Sequence, residues 1–446
     1  MSDTQHIILV IADSLRYDSV WDGEESHAPW LQSHATTFRH AYSSGCWTLP
    51  SHASLFTGML PHEHGATTRS RGLNESIPTL AEQMKARGYQ TVQLTANAVT
   101  THIFGLDRGF DRVERVWRSV APGNLPISNF FVLAGKRRIR NRFLKGDFIT
   151  GKMTEDIQAG QAWVKSLGNL QFEKAEQILR EADQAGEKVF LFLNLMETHF
   201  PYHIGRKFRI LSSGLLNKLR EMKSLFHLVN QSWLSNDKEY FRPRMLSVLR
   251  RRQRLAWKWF SRQVDAFSES VRSTYPNALY VFTSDHGDNF GDEGWKYHFS
   301  NVTEAGNRVP LFISGPGIDE DRIVTDPISI RHLYSLFLQA ANGTPGPETL
   351  RAEESIDAIL ESFWYNKSGR TLEKYQSDQF AFIHETTRYV QNGDGWHAFT
   401  LGNGDSAAVE ELPYSANPVY DLELAPEQRD RLIAKYEHFT RFSEDL

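Results

Sequence analysis

Ile7-Ile8-Leu9-Val10-Ile11-Ala12-Asp13 is an unbroken apolar run that ends on a carboxylate. A strand with one wet face alternates apolar and polar residues, whereas a run without alternation suits a parallel strand covered by helices on both faces. The same character recurs at Thr91–Thr95, Val189–Leu195, Leu279–Thr283 and Leu311–Ser314. Helical patterns lie between these runs. Ser76–Arg87 carries Pro78 near its start and Gly88 just past its end, and Trp257, Phe260, Val264, Phe267 and Val271 follow at spacings of three and four. The alternation predicts an α/β domain with a central, mostly parallel sheet flanked by helices. Ligands of such sheets meet the carboxyl ends of the strands. Asp13, Asn97, Glu197 and Asp285 each follow one of the runs by a few residues at most.

Two stretches break the pattern. Residues from about 116 to 150 and from about 205 to 254 are basic and aromatic without a strand period, and read as insertions over the sheet edge. From Thr371 onward the character changes again. Phe380–His384, Tyr389–Gln391 and His397–Leu401, punctuated by Asn392-Gly393-Asp394-Gly395, predict a small antiparallel sheet with a hairpin, and a last helix follows Pro426. The expected division is a catalytic domain over 1–370 and a small C-terminal α+β subdomain over 371–446.

The chain has 446 residues, 40% of them hydrophobic and 23% charged, which is ordinary for a globular protein and enough for a large core. A net charge of −4 argues against wholesale polyanion binding, and no groove-reading motif accompanies the basic stretches, so nucleic acid is not an expected partner. One cysteine allows no intramolecular disulfide. The polar leader MSDTQH has no charged n-region and the run after it is too short to span a bilayer, so a cytoplasmic setting is expected.

Chemistry concentrates in two places. In Gly45-Cys46-Trp47-Thr48-Leu49-Pro50-Ser51-His52, Thr48 is a residue type that caps helices and Pro50 suits a first turn. A hydroxyl there sits where backbone N–H groups and the helix dipole favour negative charge, although capping alone would account for a threonine. Thr283-Ser284-Asp285-His286-Gly287-Asp288 ends a strongly apolar strand with a carboxylate, an imidazole and a glycine that permits close approach. With Asp13 and Thr48, the pair Asp285 and His286 would give one divalent ion four ligands and leave room for a substrate oxygen. Such an ion would lower the pKa of the Thr48 hydroxyl and polarise an ester.

These residues carry a family resemblance. VIADSLRYDS at 10–19, CWTLPSHASLFTG at 46–58, FGLDRGFDR at 104–112, NLMETHFPY at 194–202, FTSDHGD at 282–288, RVPLFISGPG at 308–317 and VYDLELAPEQ at 419–428 occur in the order seen in sulfatase-like members of the alkaline phosphatase superfamily. The resemblance spans about residues 6 to 430 and implies an alkaline-phosphatase-like fold. The sulfatase signature reads Cys or Ser, any residue, Pro, Ser, Arg, and here Thr48-Leu49-Pro50-Ser51-His52 occupies it. Cys46 lies two positions too early for conversion to formylglycine, so no formylglycine is expected and Thr48 stands as the nucleophile. His52 replaces the family arginine, Ser14 replaces the second acidic residue of the first-strand pair, and His286 replaces a common asparagine. All three move the chain toward threonine-using phosphodiesterases, phosphonate hydrolases and phosphoglycerol or phosphoethanolamine transferases.

The resemblance also implies supporting roles. His199 and His298 match positions that contact the substrate anion or protonate the leaving group, roles suited to imidazole near neutral pH. Asn97, Lys296 and His52 are the expected substrate-binding residues. The expected ion is one of Mn, Zn, Mg or Ca; a second ion on His199, His203 and His298 is less favoured, because the ligand spacings of two-zinc relatives are missing. Lys136–Lys145 and Arg242–Arg262 offer contact with a membrane surface, but the second merges into the amphipathic helix and reads first as its solvated face. The expected function is metal-dependent hydrolysis of phosphate or sulfate esters of small molecules, glycans or lipids through a Thr48 intermediate, with phosphorus favoured. The rivals are a transferase that passes the same group to a glycan or lipid, and a non-catalytic protein that keeps a structural ion.

Overall fold

The computed structural model describes residues 5–22, 25–70, 72–116, 167–200, 202, 243–298, 300–343, 358–364, 377–393, 395–401, 409–412 and 415–444. Its main sheet is built from β1 (Ile7–Ala12), β2 (Thr36–Tyr42), β3 (Tyr89–Thr95), β4 (Arg112–Arg115), β5 (Lys188–Leu195), β6 (Leu279–Thr283), β7 (Arg308–Ser314), β8 (Arg322–Val324) and β9 (Ile328–Ser329). The strand order is β8-β2-β7-β6-β1-β5-β3-β4, with β9 also paired to β2. β6, β1, β5, β3 and β4 run parallel. β1 lies inside the sheet because neither of its faces can meet water: Ile7, Leu9 and Ile11 feed one core, while Ile8, Val10 and Ala12 feed the other.

The helices that matter for the site are α1 (Thr48–Thr57), α2 (Leu80–Ala86), α3 (Leu167–Ala185), α4 (Pro243–Thr274), α5 (Leu333–Ala341) and α6 (Pro426–Glu444). α1, α2 and α5 cover the Ile7–Leu9–Ile11 face through Leu49, Phe56, Met84, Leu336 and Phe337. α3 and α4 cover the other face through Phe172, Ile178, Trp257, Phe260 and Val264. The stripe foreseen on α4 is fully used, since Trp257, Phe260, Val264, Phe267 and Val271 are all buried.

Several expectations are corrected. The apolar run at Leu311–Ser314 predicts a parallel strand, but β7 runs antiparallel to both β6 and β2. An unbroken apolar run reports cover on both faces, not direction, and every residue of β7 is buried. Pro310 falls where its register against β2 shifts between Val309 and Leu311, as a residue with no N–H requires inside a sheet. β2, rich in Thr, Arg and His, was not foreseen at all. α2 starts four residues after the expected Ser76, because Thr79 and Glu82 close a capping box: Glu82 N–H donates to Thr79 Oγ1 at 3.2 Å and Thr79 N–H to Glu82 Oε2 at 2.7 Å. The second expected insertion overreaches. Residues 205–242 lie outside the described residues, but from Pro243 the chain is already α4, whose buried stripe reaches back to Leu246 and Leu249. Residues 117–150 of the first insertion also lie outside the described residues.

The C-terminal sheet is antiparallel, in the order β10 (Ala358–Ser362), β11 (Gln379–His384), β12 (Thr387–Asn392), β13 (Gly395–Thr400) and β14 (Val409–Glu411). The foreseen hairpin closes at Asn392↔Gly395. β10 enters from before the expected boundary at 371. One face of this sheet packs Phe380, Phe382 and Trp396 on Leu432, Tyr436 and Phe439 of α6, and the other packs Leu360, Ala381 and Ile383 on Tyr42 and Val302. Among the described residues, no helix is long and apolar enough to cross a membrane.

Candidate active site

Two turns at the carboxyl ends of β1 and β6 build the centre. After β1, Asp13 N–H donates to Leu195 O at 2.9 Å, and Ser14 then takes φ of 61°, the left-handed region that costs a non-glycine residue roughly 1–2 kcal/mol. That conformation aims Ser14 N–H at Asp285 Oδ1, 3.0 Å away, and His286 N–H adds a second bond to the same oxygen at 2.9 Å. The β6 turn depends on Gly287: a Cβ there would fall 2.1 Å from Ala305 O, so the close approach inferred from sequence is a real requirement. The outcome is that Asp13, Asp285 and His286, all fully buried, each present a ligand atom within 4.8 Å of the others.

The electrostatics of this cluster ask for a cation. His286 Nδ1 lies 3.0 Å from Gly287 O, which can only accept, so Nδ1 carries the hydrogen and the Nε2 lone pair faces the carboxylates. His286 Nε2 is 3.4 Å from Asp285 Oδ2 and 3.9 Å from Asp13 Oδ1, and neither Nε2 nor Asp285 Oδ2 has a hydrogen-bond partner. Buried polar atoms are rarely left so. Burial works to raise both carboxyls. Around Asp13 the imidazoles of His199 and His286 and the Asn97 amide outweigh it, and that carboxyl stands below its ordinary range. Asp285 is held well above its range by burial and then by the charge of Asp13. Two carboxylates this close and this dry can both ionise only beside a positive ion. Oxygen and imidazole donors of this kind suit a hard-to-borderline divalent metal, so the residues present fit the expected ion.

Thr48 reaches the cluster through Asn97. Trp47, not Thr48, is the N-cap of α1, and no side chain caps that end, so the Thr48 hydroxyl is not spent on the helix. It accepts instead from Asn97 Nδ2 at 3.4 Å, and the same amide nitrogen donates to Asp13 Oδ2 at 2.7 Å. Asn97 Oδ1 accepts Val99 N–H at 2.9 Å, which sets the orientation of the amide. α1 is tied to the β6 turn by Ser51, whose Oγ donates to Asp285 O at 2.5 Å. His52, expected to bind substrate, lies one turn along α1 and is fully buried behind Thr48. Its Nδ1 is 2.9 Å from Thr48 O and 3.6 Å from Asp285 Oδ2, its ring stands edge-on to Phe56 and Phe192, and burial pushes it down to about 4. His52 therefore holds the Thr48 backbone as a neutral ring.

His199 and His298 lie over this centre and are only partly buried. Their rings are 5.5 Å apart, and the His298 ring is 4.6 Å from that of His286. Lys296 is buried in a short strand, Lys296–Tyr297, two residues before His298. His203 lies outside the described residues. Sequence reasoning missed two residues. Asn194 donates to Asp13 Oδ2 at 3.3 Å, a position set by its pairing with Ile11 in the sheet, which needs the strand order to be known. Asp288 lies 2.5 Å from His298 Nδ1; it stood in the acidic cluster but was given no role. Glu197, at a strand end, accepts Gly168 N–H at 2.9 Å in the first turn of α3. Cys46 is buried with Sγ 3.6 Å from Ser362 Oγ.

The family model described as Sulfatase matches residues 5–344. The chain belongs to the sulfatase family. It is 27% identical over 331 residues to the choline-sulfatase of Rhizobium meliloti (strain 1021), a match that covers 70% of this chain and 63% of that one. The structure of this sulfatase-family chain is similar to the phosphonate monoester hydrolase of Silicibacter pomeroyi, with a TM-score of 0.62 at 16% identity, covering 98% and 94% of the two chains. A protein in the alkaline phosphatase superfamily from Vibrio parahaemolyticus gives a TM-score of 0.59 at 15% identity, covering 99% and 88%. The fold is thus alkaline-phosphatase-like, and family membership makes the chain a sulfatase-like ester hydrolase. Metal dependence goes with that family, and Asp13, Asp285 and His286 are this chain's candidate ligands.

Proposed function

We propose that the protein hydrolyses phosphate esters in preference to sulfate esters, through a covalent intermediate on Thr48. The observation that carries this reading is the Thr48 hydroxyl, which caps nothing and shares the Asn97 amide with Asp13 at the edge of the cluster where Asp285 Oδ2 and His286 Nε2 have no partner. A divalent ion held by Asp13, Asp285, His286 and Thr48 would supply, when bound, a lowered pKa for the hydroxyl and polarisation of the ester. The chain's own groups do the rest. Asn97 orients the Thr48 oxygen and offers its amide to a nonbridging oxygen of the substrate, while His52 and Ser51 keep the start of α1 against the β6 turn. His199 and His298, at the open side, contact the anion and give a proton to the leaving oxygen. Water then cleaves the Thr48 ester.

The preference for phosphorus follows from the nucleophile. A formylglycine hydrate can shed sulfate by breaking its own carbon–oxygen bond, whereas a threonine ester must be cleaved at sulfur or phosphorus by a second nucleophile, a step familiar for phosphorus and harder for sulfur. The test compares turnover of aryl phosphate diesters, monoesters and sulfates with Mn, Zn, Mg or Ca, for the parent and for Thr48→Ala. A loss of at least roughly 10³-fold is expected for Thr48→Ala, together with intact-protein masses that show one phosphoryl group on the parent during turnover. Undiminished activity in Thr48→Ala overturns the assignment. Faster product release on adding alcohol or sugar acceptors would identify a transferase instead.

A further inference from the structure

We propose that Asp288 is a positioning residue for His298, holding that ring so that Nε2 faces the leaving oxygen of the ester; this rests on the reading above, in which a histidine protonates that oxygen. The two histidines at the open side are not held alike. His199 Nδ1 is 2.8 Å from Phe200 O, a neutral carbonyl next along the chain. His298 Nδ1 is 2.5 Å from Asp288 Oδ1, a fully buried carboxylate ten residues away. An acceptor-only partner at Nδ1 requires the hydrogen there and leaves Nε2 to face the substrate, and a carboxylate does this more firmly than a carbonyl. Asp288 is itself held. Tyr202 O–H donates to its Oδ2 at 2.9 Å, from a backbone with φ of 55°, and Arg16 Nη1 donates to its main-chain oxygen at 2.9 Å.

The rival is a second cation on His286, Asp288 and His298, whose ligand atoms lie within 4.8 Å of one another. Hydrogen bonding separates the two. Both carboxylate oxygens of Asp288 are engaged, one by His298 and one by Tyr202, whereas Asp285 Oδ2 and His286 Nε2 in the first cluster have no partner. In the assigned role the atoms balance. The Thr48 oxygen bonds phosphorus as the ester oxygen leaves with its electron pair and takes the Nε2 proton of His298, while the Thr48 proton passes to solvent. In the second half a water oxygen bonds phosphorus, its proton goes to His298 Nε2, and the Thr48 oxygen leaves and is reprotonated. Asp288 keeps its charge throughout.

The experiment measures kcat and KM for Asp288→Asn and Tyr202→Phe on aryl phosphates whose leaving groups run from dinitrophenol to phenol, together with the metal content of each protein. A leaving group that needs a proton should reveal the defect. The expected result is a kcat loss of roughly 10–100-fold for the phenyl ester with Asp288→Asn, shrinking steadily toward the dinitrophenyl ester, with KM and metal content kept. Tyr202→Phe should give the same slope with a smaller loss, and it carries the test if Asp288→Asn does not fold. A loss equal for all leaving groups, no loss, or a fall in metal content overturns the proposal. Activity retained by Thr48→Ala would overturn only the nucleophile assignment, since the leaving-group slope does not depend on which oxygen attacks.

Discussion

Asp285 Oδ2 and His286 Nε2 meet in the dry interior without a hydrogen-bond partner, while Asp13 adds a second carboxylate to the same space. Asp285 carries the cost, because burial and the neighbouring charge hold its carboxyl well above its ordinary range. A carboxyl raised in this way gives its full contribution to stability below its unfolded pKa and loses it progressively as pH rises through the folded one. Asp285→Asn should therefore raise the Tm of the metal-stripped protein at pH 7, and it should abolish the further rise that a divalent ion gives the parent. For the parent, an ion at about a hundred times its Kd adds about 2.7 kcal/mol, and a chelator removes it. A lower Tm for the metal-stripped Asp285→Asn protein would contradict this account. At Gly287 the constraint is steric. Gly287→Ala drives a methyl into Ala305 O and should cost about 1–3 kcal/mol in a denaturant titration, with a matching loss of metal content. Residue chemistry was legible where type alone decides, as at Asp13, Asp285 and His286. It was illegible at Asn194, whose amide matters only through its place opposite Ile11.

Elements hold these residues through a charged hub. The Arg16 guanidinium donates to both carboxylate oxygens of Asp18 at 2.8 and 2.7 Å and to those of Asp292 at 2.7 and 3.1 Å, joining the turn after β1 to the chain beyond the β6 turn. Burial alone would raise Asp18, but Arg16 beside it brings the carboxyl down to about 2. A depressed carboxyl contributes stability above its unfolded value of 3.8 and loses it as pH falls toward 2. That contribution is about 2 kcal/mol. Acid titration of the parent should show a stability loss between about pH 4 and 2 that Asp18→Asn lacks. Unfolding midpoints with the same acid dependence in both proteins would refute it. At this scale strands β1, β5 and β6 were legible, since continuous apolar runs flag cover on both faces. β2 was not, because Thr36, Thr37, Arg39 and His40 hide a buried strand behind polar letters. The direction of β7 was hidden for a different reason, namely that packing on two sides leaves the same apolar signature in either direction.

Across the whole molecule the C-terminal sheet closes over the loop that leads into α1. Glu361 of β10 donates its N–H to Ser44 O at 2.9 Å, and its carboxylate accepts from His62 N–H at 2.9 Å and lies 2.5 Å from His62 Nδ1. Tyr42, Leu60 and Val302 are covered by this unit. A chain ending at residue 343 should therefore expose those side chains and aggregate, as light scattering would show, whereas a soluble and active product would mean that the two units fold independently. The motifs gave the catalytic part away, and the sheet after Thr371 was visible through its hairpin. β10 was not, because nothing in five residues announces a partner that follows them in the chain. The centre itself draws on the ends of β1, β3, β5 and β6, through Asp13, Asn97, Asn194 and Asp285. No fragment holding a single strand and its turn owns more than a quarter of this set. Catalysis is therefore a census of these four strands together: warming or denaturant that loosens any one of them should extinguish turnover in step with loss of near-ultraviolet dichroism, leaving no window in which a partly melted molecule still works.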